Sequence, residues 1–78
     1  MDARVKEIEG LEKAGERIEG KDFSGLAASG VEWKGLNFYQ CNFSRSNFSE
    51  ALISGCRFDE CSLANSNFKA SRVVDSVF

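Results

Sequence analysis

The chain has 78 residues and a formal net charge of −2, with no histidine, no proline and three cysteines. A chain this short supports one small domain, because it buries only about 60% of the surface it exposes when unfolded. Without histidine there can be no Ser/His/Asp or Cys/His nucleophile and no histidine-ligated metal site, so no enzyme is expected and no cofactor is implied.

Residues 1–20 carry six acids and four bases. Met1-Asp2-Ala3-Arg4 has no apolar signal-peptide core, and no apolar run approaches the roughly 20 residues that span a bilayer, so a soluble, cytoplasmic chain without a membrane partner is expected. Val5, Ile8, Leu11, Ala14 and Ile18 recur at spacings of three and four among charged residues, which predicts an amphipathic helix over 1–20. Gly10 and Gly15 each cost about 1 kcal/mol inside a helix, so docking would have to hold it, as a cap on whatever follows. The competing reading takes Gly10, Gly15 and Gly20 with Ile8 and Ile18 as degenerate copies of the downstream repeat. Lys13 would then stand at a core position, which favours the helix.

From Lys21 the chain repeats every five residues. Phe23, Phe38, Phe43, Phe48, Phe58, Phe68 and Phe78 share one phase with Trp33, Ile53, Leu63 and Val73, and only Ala28 in that series is small. Neither a helix nor a straight strand keeps five-spaced residues on one face. The chain must therefore turn at each block. Four blocks make one square circuit of twenty residues, the bulky residue of every side points inward, and successive circuits pair in parallel about 4.8 Å apart. Residues twenty apart then stack: Phe38 with Phe58 and Phe78; Phe48 with Phe68 above Ala28; Phe23 with Phe43 and Leu63; Trp33 with Ile53 and Val73.

The remaining columns agree. Two residues before each bulky one, the series from Cys41 onward is small (Cys41, Ser46, Ala51, Cys56, Cys61, Ser66, Ser71, Ser76). Earlier members Lys21, Leu26, Val31 and Leu36 are large, so distortion is expected in the first circuit. Asp22, Asn37, Asn42, Asn47 and Asn67 hold the second position, where their side chains can bond nearby backbone, and Gly25, Gly30, Gly35 and Gly55 mark corners.

Blocks such as Cys41-Asn42-Phe43, Ser46-Asn47-Phe48 and Ser66-Asn67-Phe68 make residues 21–78 resemble the pentapeptide-repeat family. The resemblance implies an all-β, right-handed quadrilateral parallel β-helix of about three circuits behind an N-terminal capping α-helix. The bulky residues above, with Cys41, Cys56 and Cys61, are its expected core. The thiols lack the four ligands of a structural zinc site and read as core filler kept in a reducing compartment.

Outward-facing Tyr39 and Leu52, with Val74, Val77 and Phe78 near the last circuit, are the candidate contact residues. Either that end pairs with a second copy as a homodimer, or it continues into the rest of a longer chain. The function expected is a noncatalytic scaffold that binds protein, and the resemblance implies a segment of a larger bacterial effector or secretion-associated protein. The alternative is a DNA mimic that binds topoisomerases, as quinolone-resistance members of the family do. Residues 21–78 hold six acids and six bases, which favours neither mimicry nor a nucleic-acid partner.

Overall fold

A computed structural model describes residues 2–14 and 17–78. Helix α1 (Ala3–Ala14) is followed by six short strands: β1 (Ile18–Glu19), β2 (Glu32–Lys34), β3 (Asn37–Tyr39), β4 (Leu52–Ser54), β5 (Arg57–Asp59) and β6 (Arg72–Val74). Two parallel sheets result, ordered β1-β3-β5 and β2-β4-β6. Their registers run Phe38↔Phe58 and Trp33↔Ile53↔Val73, which is the twenty-residue stacking expected of a square circuit. The other two sides pair only at single bridges, Asp22↔Asn42↔Ser62 and Ala27↔Asn47↔Asn67.

Local chemistry makes the sides bend. Among the described residues, each of the twelve positions from Gly20 to Asp75 that close a block has a φ between +50° and +74°, and seven of these are not glycine. On the bridged sides Asp22, Asn42, Asn47 and Asn67 each accept, through Oδ1, the backbone N–H two residues on, at 2.9–3.0 Å. This side-chain turn holds the chain in the bend that a longer polar residue could not close.

Inside, rings in one column lie nearly flat on each other. Phe23–Phe43, Phe38–Phe58 and Phe48–Phe68 are stacked with centroids 5.0–5.2 Å apart. Between columns the rings meet edge to face, as in Phe38–Phe43 at 87° and Trp33–Phe48 at 76°. Both arrangements set ring edges and faces in electrostatic complement, so the core gains more than its buried area alone.

The expected distortion of the first circuit does not occur, since its bridges and ladders keep the common register. Size is redistributed instead: Leu26 and Ala28, two residues apart, are both fully buried, and Leu36 is buried beside Phe38. The N-terminal helix is shorter than the sequence suggests. It ends at Ala14, and Ile18 lies in β1 opposite Phe38 rather than on the helical stripe. Ile18 is in phase with the repeat, and pairing its backbone with β3 satisfies polar groups that a longer helix would leave at the edge of the sheet. The expected place of Ala14 on the stripe, the Lys13 side chain that weighed against a degenerate repeat, and Gly15 lie outside the described side chains and residues.

Helix α1 closes the first circuit with buried Val5 and Ile8, and Leu11 packs against the same core. Asp2 caps it, accepting the Arg4 amide at 3.0 Å. The pair does more. Arg4 Nη1 donates to the carbonyls of Asp22 (3.3 Å) and Ser24 (3.1 Å), while Asp2 Oδ2 accepts the Ala27 amide at 3.3 Å. One circuit later the equivalent carbonyls, Asn42 and Ser44, are bonded by the amides of Phe23 and Gly25, and the Asn47 amide bonds Leu26. An ion pair thus supplies the donors and acceptor that a preceding circuit would have supplied, and it closes an otherwise open edge.

Candidate interaction surfaces

The interior leaves no room for a ligand. Phe23, Trp33, Phe38, Phe43, Phe48, Ile53, Phe58, Cys41 and Cys56 are all buried, and Leu63, Phe68 and Cys61 are partly so. Val73 and Phe78, expected in the core, are 40% and 57% exposed. Inward residues of the first two circuits are covered by those twenty positions further along, as Phe58 is by Phe78, and Val73 and Phe78 belong to the third circuit.

Serines at the small position have a role that their size alone did not reveal. Ser46 is buried; its Oγ donates to the Phe23 carbonyl at 2.9 Å and accepts the Leu26 amide at 3.1 Å. Ser66 repeats the first bond with Phe43 at 2.8 Å. These hydroxyls tie each circuit to the corner beneath it, so serine here is both filler and bridge. The thiols act more weakly, with Cys41 Sγ 3.4 Å from the Ile18 carbonyl and Cys61 Sγ 3.4 Å from that of Asp59. Burial pushes the Cys61 thiol above its ordinary value, which disfavours the reactive thiolate.

Outward side chains form ladders of modest polarity. Ser29 meets Ser49 at 3.0 Å, Gln40 meets Glu60 at 3.5 Å, and Arg57 pairs with Asp59 at 3.2 Å on an exposed face. Such exposed pairs contribute little. The candidate contact residues do not form one patch. Tyr39 lies in the β1-β3-β5 sheet with the Arg17 guanidinium 4.7 Å over its ring, and Glu60 raises the titration of its hydroxyl. Leu52 lies in the other sheet between Glu32 and Arg72, half-buried by the ladder.

Val73, Val74, Val77 and Phe78 are all exposed and all belong to the third circuit. There β6 has a strand on one side only, and Phe78 lies on Phe58 with centroids 4.9 Å apart and planes 4° from parallel. The apolar edge carries the geometry of the interior into solvent.

Among the described residues no group of three or more histidine, cysteine, aspartate or glutamate side chains is gathered as a metal site, and no helix is long and apolar enough to cross a membrane. A family model described as pentapeptide repeats matches residues 22–58 and 41–78, with eight copies. No curated protein and no solved structure matches the chain.

Proposed function

The chain belongs to the pentapeptide-repeat family, and we propose that it is a noncatalytic structural and interaction module, a rigid segment of a larger bacterial protein of the effector or secretion-associated kind. Its coil is the right-handed quadrilateral β-helix of that family. The single observation that carries the interaction reading is the apolar third circuit, where Val73, Val74, Val77 and Phe78 are exposed beside an unpaired strand edge.

A surface that repeats an interior layer accepts a second such surface, because exposed rings can stack on rings and two free strand edges related by a two-fold axis can pair antiparallel. The first circuit is closed by Val5 and Ile8 of α1, so head-to-tail stacking is blocked. The layer assigned here is the third circuit of a second copy, meeting the first about a two-fold axis. Three cysteines, none of them in a disulfide, support a cytoplasmic, reducing setting for this module. Neither membrane nor nucleic acid enters the reading, since the six acids and six bases of residues 21–78 leave no field of one sign.

Sedimentation velocity over a wide concentration range tests it. The wild-type chain is expected to form a dimer whose share grows with concentration, and the double variant V77E/F78E to stay monomeric with an unchanged circular dichroism spectrum. A wild-type chain that remains monomeric at millimolar concentration would contradict the self-pairing.

A further inference from the structure

The opposite end of the coil carries a second surface. Three sides of the first circuit are met from above: Arg4 and Asp2 bond the first and the start of the second, and β1 pairs with the fourth. The third side, β2, has a neighbouring strand on one edge only. In a parallel ladder the N–H and C=O of one residue point the same way and alternate along the strand. Val31 and Gly35 bond toward β4, so the amides and carbonyls of Glu32 and Lys34 face the free edge. Beside that edge lies a groove of about 290 Å³ lined by Val5 and Glu9 of α1 and by Ser29–Trp33.

Two features say what belongs there. Trp33 lines the groove, and its indole N–H is buried with no hydrogen-bond partner among the described residues. Glu9 and Glu32 flank the groove, both are exposed, and neither has an ion-pair partner among the described residues. We propose that this groove binds an extended peptide segment of a partner protein by strand addition to β2, with a lysine or arginine of the segment set between Glu9 and Glu32. β4 presents to β2 the same edge that β2 presents to the groove, and that pairing is parallel and in register. The added strand therefore runs parallel. Its cationic residue lies over Glu32, its apolar residue is in register with Trp33, whose ring is already buried, and meets Val5 at the groove wall, and its next residue lies over Lys34. Backbone bonds supply affinity, and the two carboxylates select the charge.

This surface lies at the far end from the third circuit, so failure here leaves the dimer reading standing. The probe is the acetylated, amidated pentapeptide Val-Lys-Ile-Ser-Gly, followed by the indole N–H resonance of Trp33, the only tryptophan in the chain. The resonance is expected to shift saturably with the peptide. Replacing the peptide's lysine by glutamate is expected to weaken binding at least about threefold, and E32K to reverse that preference, because each step exchanges an attraction for a repulsion. Retention of the backbone amide spectrum shows that E32K is folded. No shift at millimolar peptide would overturn the proposal, as would equal binding of a peptide N-methylated on its isoleucine and glycine amides, the ones that face β2 in the register that β2 itself keeps on β4. An indole shift that follows protein concentration without peptide would assign the groove to a second copy and equally overturn it.

Discussion

Phe58 and Phe78 lie on each other with centroids 4.9 Å apart and planes only 4° from parallel, yet Phe58 is 2% exposed and Phe78 57%. The two residues share a column and are stacked on each other. What separates them is one covering layer. Truncating Phe58 leaves a cavity between two circuits, and Phe58→Ala is expected to cost roughly 3–5 kcal/mol. Phe48→Ala, between Ala28 and Phe68, belongs to the same class. Phe78→Ala removes a ring already half in water and is expected to cost about 1 kcal/mol. Thermal melts of the three variants at low concentration, where the chain is monomeric, check the order; equal losses for Phe58 and Phe78 would contradict it.

The Asp2–Arg4 cap makes stability depend on pH. The Arg4 side chain, then its amide, hold the Asp2 carboxyl well below the usual carboxylate range, and the Ser24 amide lowers Asp22 in the same direction. A carboxyl whose pKa falls on folding contributes stability above its ordinary value of 3.8 and loses it as pH drops through the folded-state value. Asp2→Asn is therefore expected to be less stable than wild type at neutral pH, and the gap to close below about pH 4. Melting temperatures across that range decide it. A gap that persists unchanged at acid pH would assign the effect to something other than the charge.

Corner positions offer a paired test of backbone strain. Ala70 has a φ of +59° and Gly55 of +61°, each closing a block. A side chain built at Gly55 would come no nearer than 3.9 Å to the Gly35 nitrogen, an ordinary contact. Gly55→Ala is thus expected to cost about 1 kcal/mol from conformation alone, and Ala70→Gly to return a similar amount. Urea unfolding at constant m-value measures both. Two changes of the same sign would show that packing, not φ, governs the corners.

Thiol labelling should rank the cysteines. Cys61 is partly exposed, whereas Cys41 and Cys56 are buried in the column of small residues. In the native protein Cys61 is expected to react first, more slowly than a free thiol because burial raises its pKa. The other two should react only at the rate of global opening. Peptide mapping after timed alkylation reads the order, and early modification of Cys56 would contradict the stacked core.

Much of this architecture is written in one column of residues. A phase of five shared by seven phenylalanines and Trp33 forces a turn at every block, and the Asn and Asp of the second position supply turn chemistry that the structure repeats at Asp22, Asn42, Asn47 and Asn67. Ile18 was ambiguous for a physical reason: it satisfies both the helical spacing from Ile8 and Leu11 and the twenty-residue spacing to Phe38. Backbone pairing resolves the choice in favour of the sheet. Periodicity assigns a residue to a face and not to a depth, so Val73 and Phe78 read as core although nothing covers them. Tyr39 read as an open contact because its cover, Arg17, lies in the circuit before it. Arg4 and Asp2 carry no periodic signal, and only three-dimensional edge chemistry reveals them. Of the interaction surfaces, the exposed end was visible in outward Val74 and Val77, whereas the β2 groove depends on where α1 comes to rest.

The most direct test of the central claim, that a chain bending square gathers residues twenty apart along one axis, is the pattern of amide and aromatic nuclear Overhauser effects in solution. The account predicts contacts between Phe38 and Phe58, Trp33 and Ile53, and Phe48 and Phe68, with helical i to i+3 contacts confined to residues 3–14. Helical contacts running through residues 21–78, with none at a separation of twenty, would contradict it.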